Sequence, residues 1–118
     1  MELVAFLGND KENWGQISAL IKKGNWEKVI LLKNKRTESF PIYDNCEIIN
    51  IDCDKSLDEL KNNISENLKE RLKNEFESAL SIASGNGKEH MALISALLNI
   101  PVGIRLVAFT KKGIEFIN

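Results

Sequence analysis

The sequence predicts one α/β domain with a mostly parallel β-sheet, helices on both faces and a C-terminal β-hairpin. Short apolar runs of strand length alternate along the chain with segments whose apolar residues recur at helical spacing. This alternation is typical of parallel sheets, because each parallel strand needs a crossover connection to reach its neighbour. Only Lys111, Lys112 and Gly113 separate the last two apolar runs, and so short a connection requires antiparallel strands.

The first half of the chain predicts three strands and one helix. Residues 2–8 form an apolar run that ends in a turn, as expected of a buried strand, and residues 11–23 show helical spacing before a Lys-Lys-Gly terminator. Residues 29–32 have no polar interruption, which indicates an inner parallel strand. Residues 34–45 contain a proline and no helical stripe, so we expect an irregular crossover before a third strand at residues 46–52.

The second half predicts two helices and three strands. Residues 57–72 predict a helix, because its apolar positions are spaced by three or four residues: Leu57, Leu60, Ile64, Leu68, Leu72. A fourth strand at residues 77–84 and a third helix at residues 88–99 precede the hairpin strands, residues 104–110 and 114–117. The order predicts a three-layer, Rossmann-like fold, and 118 residues suffice for one domain that spans the chain.

Helix starts are predicted from capping boxes, in which a capping side chain precedes a glutamate by three positions. Three pairs have this spacing: Asn9 and Glu12, Ser56 and Glu59, Asn86 and Glu89. Each pair stands at the start of one of the three predicted helices.

Charge and hydropathy limit the partners that we expect. Sixteen basic and seventeen acidic side chains leave a net charge of -1, so no chain-wide positive field is available to hold a long nucleic acid. The apolar runs are far shorter than the roughly 20 residues of a membrane-spanning helix. The N-terminal residues lack the basic region and cleavage site of a signal peptide, so we expect a cytoplasmic protein with no membrane partner.

The candidate ligand site lies in the loops that follow the predicted strands. Ligands of open parallel sheets bind beyond the carboxyl ends of the strands, where helix N-termini present unpaired N–H groups. The loops at residues 8–10, 52–54 and 84–88 qualify, and the third is the richest, with two glycines and a lysine. The candidate ligand-binding residues are Gly8, Asn9, Asp10, Ser84, Gly85, Asn86, Gly87 and Lys88.

The glycine turn also has a purely structural interpretation. Asn86 and Glu89 would cap the helix, Lys88 would be solvated, and the Glu89 carboxylate would repel an incoming anion. The turn matches neither common phosphate-binding motif. Walker A requires glycine at the position of Ile82 and a hydroxyl at Glu89, and the dinucleotide-binding motif requires glycine at His90.

Other chemistries have weaker signals. His90 is the only histidine, and a partly buried structural role suits it better than proton transfer. Asp52 and Asp54 are close enough to hold a hard cation, although an ordinary polar strand end explains them as well. One histidine and two separated cysteines give no zinc-type ligand set, so we predict no metal and no cofactor.

The segment Ser84-Gly85-Asn86-Gly87-Lys88-Glu89-His90-Met91-Ala92-Leu93 resembles the turn after strand four of CARF domains, the CRISPR-associated Rossmann fold. That turn is often of a Gly-Gly-Thr-Lys-x-Met type. Gly85 and Lys88 match it, whereas Asn86 replaces the second glycine, Gly87 replaces the threonine and His90 stands where the methionine belongs. The resemblance extends over the second half of the chain, and the Gly8-Asn9 turn suits the family's other ligand loop.

The resemblance implies a homodimer that binds a cyclic oligoadenylate across its two-fold axis, in CRISPR-linked antiviral defence. The strand-one and strand-four loops would contact phosphates and riboses, with Gly85 and Lys88 as the main candidates. Some members are ring nucleases, so Lys88 is also the candidate catalytic residue for a metal-independent cleavage of the ring. Two alternatives stay open: a non-catalytic protein-interaction module, and a small-molecule enzyme that uses His90 or Asp10.

Overall fold

The computed structural model describes residues 1–41 and 43–118 and shows an α/β chain with a six-stranded mixed sheet and three α-helices. In chain order the elements are β1 (Glu2–Leu7), a short 3-10 turn (Lys11–Asn13), α1 (Trp14–Lys23), β2 (Val29–Asn34), β3 (Cys46–Ile51), α2 (Leu57–Leu72), β4 (Glu77–Ser81), α3 (Gly87–Leu98), β5 (Gly103–Thr110) and β6 (Gly113–Phe116).

The strands are arranged in the order β3-β2-β1-β4-β5-β6. Strands β1 to β5 are parallel, and β6 pairs with β5 in an antiparallel hairpin. In register, Val4 of β1 pairs with Ile30 of β2 on one side and with Leu80 of β4 on the other. The chain runs outward from β1 to β3 and then returns to the opposite side of β1, so the strand order reverses between β1 and β4. The prediction of a mostly parallel sheet with a C-terminal hairpin is confirmed.

Helices cover both faces of the sheet. Helices α2 and α3 pack on one face against side chains such as Val4, Phe6 and Leu80, while α1 packs on the other against Leu3 and Leu7. The alternation follows from the pleat, because successive residues of a strand point to opposite faces. All six residues of β1 and of β2 are buried, as expected of inner parallel strands covered on both sides.

Two strands end two or more residues away from their predicted ends, while the other strand bounds differ by at most one residue. Strand β2 continues to Asn34, because Lys33 and Asn34 are buried and pair with β3 although both are polar. Strand β4 ends at Ser81 instead of residue 84, because Ser84 and Gly85 leave the sheet to contact the loop after β1. The crossover after β2 contains no helix or strand in residues 35–41 and 43–45, as predicted.

The three predicted capping boxes have different outcomes. Asn86 and Glu89 form the complete reciprocal box at the start of α3. Ser56 accepts the Glu59 N–H, and its hydroxyl donates to the Glu59 carboxylate, so the α2 start is capped by a variant of the motif. The box predicted at Asn9 is wrong, because Asn9 Oδ1 instead accepts from the Thr37 hydroxyl at 2.6 Å.

Across the described residues, we find no helix that combines the length and apolar character of a membrane span.

Candidate functional site

The loops after β1 and β4 are joined by a hydrogen-bond network at the point where the strand order reverses. The Gly8 N–H donates to Ser84 Oγ at 2.9 Å, and the Ser84 hydroxyl donates in turn to Asp10 Oδ1 at 2.7 Å. The same carboxylate oxygen accepts the Gly85 N–H at 2.9 Å. Two loops that are more than 70 positions apart in sequence therefore form one surface, at the place where open α/β sheets bind ligands.

Two of the three glycines in these loops are required by packing. A Cβ at Gly8 would lie 2.7 Å from the Gly85 Cα, so the two backbones approach too closely for a side chain. Gly85 has a φ of +109°, which L-residues with a side chain rarely adopt, and its Cβ would lie 2.9 Å from His90 Nε2. Both glycines follow from the geometry of the loop crossing.

Gly87 has no such structural requirement. It is the first residue of α3, it is exposed, and a Cβ added there would meet nothing within 4 Å. Its φ is not positive. A glycine in a helix reduces stability by roughly 0.5–1 kcal/mol relative to alanine in the interior, so the fold alone gives no reason for a glycine here.

The N–H groups of the turn divide into bonded and open donors. The Gly85 N–H is bonded to Asp10 and the Asn86 N–H to Glu89 Oε1 at 2.9 Å, so neither amide is open to an anion. The N–H groups of Gly87 and Lys88 have no acceptor in the described part of the chain. The open donors are thus the first two N–H groups of α3, where the helix dipole adds positive potential.

Two carboxylates contact the residues that precede these donors, because Asp10 accepts the Gly85 N–H and Glu89 accepts the Asn86 N–H. Burial alone would raise the pKa of Asp10, but hydrogen bonds from Asn13, Ser84 and Gly85 outweigh it, so its pKa is lowered and it is ionised at neutral pH. Glu89 is almost completely buried at 3% exposure, and its carboxylate accepts the Asn86 N–H at the start of α3. The site therefore combines N–H donors with a partly exposed carboxylate acceptor.

The side chain of Lys88 is not directed toward the glycine turn. Its Nζ donates to the Cys53 carbonyl at 2.9 Å and so reaches the loop between β3 and α2. Among the residues that the structure describes, no carboxylate lies within ion-pair distance of Lys88, so no ion pair neutralises its positive charge. Burial, and then Glu89, raise the pKa of the neighbouring Cys53 thiol to about 12, which makes it unreactive.

A buried lysine that was not among the predicted site residues supports the loop after β1. Lys33 is only 7% exposed, and its Nζ donates to the carbonyls of Asn34 at 3.1 Å and Thr37 at 2.8 Å. The Thr37 hydroxyl donates to Asn9, so Lys33 holds the crossover segment against the loop that carries Asn9. The only feature of the sequence that could have indicated this role is the position of a lysine at the end of an apolar strand.

His90 and Trp14 each contact a main-chain carbonyl of one of the two loops. His90 Nε2 lies 2.7 Å from the Ser84 carbonyl oxygen, and Trp14 Nε1 donates to the Gly8 carbonyl at 3.0 Å. This geometry agrees with the structural interpretation of His90. Trp14 also places an indole beside the candidate site, where it can report on ligand binding.

The concavity between the loops is small. It has a volume of about 180 Å³ and is lined by Asn9, Asp10, Gly85, Asn86 and Glu89. Sites for small molecules usually measure roughly 300–1,000 Å³, so one copy of the chain provides only part of such a site. Asp52 and Asp54 do not form a metal centre: within residues 1–41 and 43–118, no group of three or more His, Cys, Asp or Glu side chains could hold a metal ion.

Comparison of the chain with protein-family models, with curated proteins and with solved structures gave no match.

Proposed function

We propose that this chain is a CARF-like domain of Rossmann-like fold that binds a cyclic oligoadenylate or a related nucleotide as a homodimer. The observation that carries the proposal is Gly87, an exposed helical glycine whose N–H and that of Lys88 have no acceptor in the described residues. The strand order supports the fold assignment, because nucleotide-binding α/β sheets of this order bind ligands where the order reverses.

The mixed polarity of the site favours a ribonucleotide over a simple anion. An inorganic phosphate carries acceptors and negative charge, which suit the Gly87 and Lys88 N–H groups but are repelled by the ionised Asp10. A ribonucleotide also carries ribose hydroxyls, which can donate to that carboxylate. The 2′-hydroxyl stays unmodified in a ring linked through 3′ and 5′ positions, so a cyclic oligoadenylate offers both groups.

The homodimer is supported by the size of the cleft and by an apolar surface beside it. The 180 Å³ concavity is too small for a nucleotide ring, so a second copy is needed to complete the site. A groove of about 260 Å³ begins at Ile82 and Ala83, directly before the glycine turn, and extends to Leu106 and Ile117. Ile82 and Ile117 are 38% and 63% exposed, which leaves apolar area for a second copy to cover.

The direct test is the melting temperature in the presence of cyclic tetra-adenylate and cyclic hexa-adenylate. A ligand that binds only the native state stabilises it by about 2.7 kcal/mol at a concentration of one hundred times Kd, which shifts Tm by several degrees. We expect one of the two rings to produce this shift and inorganic phosphate to produce none. A Tm that stays constant with both rings at millimolar concentration contradicts the proposal.

Ring cleavage is a separate part of the proposal. The ribose 2′-oxygen would attack the adjacent phosphorus, the bond to the 5′-oxygen would break, and the proton would pass to that 5′-oxygen, leaving a 2′,3′-cyclic phosphate and a 5′-hydroxyl. Lys88 would stabilise the charge that develops on the phosphate after leaving the Cys53 carbonyl. Mass spectrometry of the incubated ring detects the linear product, and Lys88→Ala should abolish product formation. An unchanged product rate in that variant rules out this role of Lys88.

The competing function is a protein-interaction module in which the glycine turn is only structural. The observation in its favour is that Asp10 and Glu89 already satisfy the Gly85 and Asn86 amides. In that case neither ring would bind, and Gly87→Ala would change stability alone. The same binding measurements therefore separate the two functions.

A further inference from the structure

Phe76 protrudes from the loop between α2 and β4. Its side chain is 92% exposed, although the backbone around it is fixed because the Gly103 N–H donates to the Phe76 carbonyl at 2.9 Å. Burial of a phenylalanine side chain contributes roughly 1.5–3 kcal/mol, so this exposed ring is available to stabilise a contact with another molecule. Because the main chain at Phe76 is already fixed, a contact would have to order only the side chain.

The residues around Phe76 are acidic. Glu75 precedes it and has no ion-pair partner in the described ranges, while Glu77 is 3.8 Å from Arg105. Burial, followed by the charge of Glu75, raises the pKa of the nearby Glu2 carboxyl, as expected in a negative local field. Phe76 is thus an exposed apolar side chain next to Glu75, a carboxylate without an ion-pair partner among the described residues.

A groove of opposite charge lies between the end of α1 and the tip of the β5–β6 hairpin. It has a volume of about 620 Å³ and is lined by Lys23, Lys111 and Lys112 together with the apolar side chains of Phe109 and Ile114. None of the three lysines forms an ion pair with a described residue. The fold brings Lys23 close to the consecutive residues Lys111 and Lys112, and this local positive charge attracts an anionic partner.

We propose that a second copy of this chain inserts Phe76 into this lysine-lined groove, so that Glu75 approaches Lys111 and Lys112. Both the apolar and the charged parts of the two surfaces are complementary. The contact is head-to-tail, because the inserted side chain and the groove are different surfaces of the molecule. It uses neither the loop after β1 nor the loop after β4, and so it does not depend on nucleotide binding.

The contact should be weak and sensitive to salt. One aromatic ring buries about 150–250 Å², well below the roughly 1,200 Å² of a stable interface, so we expect association in the micromolar to millimolar range. Ions screen the Glu75–lysine attraction, and the affinity should therefore fall between low salt and 0.5 M salt.

Sedimentation velocity without nucleotide tests the contact through single-surface variants. We expect the weight-average sedimentation coefficient of the wild-type chain to rise with concentration, and the salt-sensitive part of this rise to be lost in Phe76→Ser and in the double variant Lys111→Glu with Lys112→Glu, both of which leave the apolar surface at Ile82 and Ile117 intact. The matched controls are Leu98→Ser, which removes another exposed apolar side chain, and Lys55→Glu with Lys69→Glu, which makes the same charge change elsewhere.

Mixing the two interface variants gives the decisive result. Each variant keeps one intact surface, so a 1:1 mixture should form a pair that neither forms alone. The proposal is overturned if the wild-type chain stays monomeric at about 1 mM in low salt, if Phe76→Ser associates like the wild type, or if the mixture shows no pair. Because no nucleotide is present, these outcomes are independent of the ring-binding measurements.

Discussion

The Asp10 carboxylate accepts the main-chain N–H of Gly85 at 2.9 Å, which fastens two loops that are 75 positions apart in the sequence. The same oxygen accepts the Ser84 hydroxyl, so one ionised group organises the whole junction. Under the proposed function, this fixed negative charge would favour a ligand that brings hydroxyl donors as well as phosphate. This relationship connects the stability of the loops to the chemistry that we propose for them.

Replacement of Asp10 by asparagine should lower stability in a pH-dependent manner. Hydrogen bonds from Asn13, Ser84 and Gly85 outweigh the effect of burial and lower the Asp10 pKa from 3.8, so the stabilisation is present above pH 3.8 and is lost as pH falls through the folded-state value. We expect a loss of about 1 kcal/mol at pH 7, reduced by partial exposure, and a smaller loss at pH 2. Urea denaturation at both pH values measures the loss of unfolding free energy. An equal loss at both would contradict a stabilising role of the Asp10 charge.

Addition of one methyl group should have opposite effects at two of the loop glycines. Gly8→Ala places a Cβ 2.7 Å from the Gly85 backbone and should destabilise the fold by about 1–3 kcal/mol. Gly87→Ala places a Cβ in open space and should raise the free energy of unfolding by up to about 1 kcal/mol. Denaturant titration of both variants compares them directly. A Gly8→Ala variant as stable as the wild type would refute the close crossing of the loops.

Removal of the buried ammonium of Lys33 should loosen the crossover without unfolding the core. Lys33→Met keeps the aliphatic stem but loses the hydrogen bonds to the Asn34 and Thr37 carbonyls. We expect amide hydrogen exchange at Thr37 to become about tenfold faster, while exchange at Ile30, within the buried β2 strand, stays unchanged. Equal protection of Thr37 in both proteins would show that Lys33 does not hold the segment.

Neutralisation of Glu2 should stabilise the fold at neutral pH. Its carboxylate is 9% exposed, and Oε2 has no hydrogen-bond partner among the described residues. Burial, then Glu75, raise its pKa above 4.5, so the ionised form is disfavoured in the folded state and stability falls as pH rises through the folded-state value. We expect Glu2→Gln to raise Tm at pH 7 by an amount that corresponds to about 1 kcal/mol, and to have no effect at pH 4.

The control for this measurement is Glu66→Gln on the exposed face of α2, which should leave Tm unchanged at both pH values. A Glu2→Gln variant that melts below the wild type at pH 7 would show that the carboxylate is stabilised in the folded state.

The sequence predicted the strands and helices because burial leaves a direct pattern in this chain. The uninterrupted apolar run at Val29 to Leu32 indicated an inner strand, and the predicted three-residue connection, which is only Lys111 and Lys112 in the structure, required antiparallel strands. The end of β2 was missed because Lys33 is satisfied by the main-chain carbonyl of Thr37, and no local pattern reports such a partner.

The sequence predicted which loops carry the candidate site, but not the contacts between them. Sequence reasoning located the loops after β1 and β4, and the structure brings Gly8, Asp10, Ser84 and Gly85 into one network. The direction of the Lys88 side chain was not predictable, because its contact with the Cys53 carbonyl depends on how α2 and α3 pack together. Such contacts between distant elements follow from tertiary packing and not from residue spacing.

The most direct test of the central claim is the affinity for cyclic tetra-adenylate and cyclic hexa-adenylate, measured by titration calorimetry on Gly87→Ala and Gly15→Ala. Both substitutions add a Cβ in open space near the start of a helix, but only Gly87 lies at the proposed site. We expect the ring that binds the wild-type chain to bind Gly15→Ala equally and Gly87→Ala at least about tenfold more weakly, a difference of 1.4 kcal/mol. Equal affinity of the two variants, or no binding of either ring to the wild-type chain, would contradict the account.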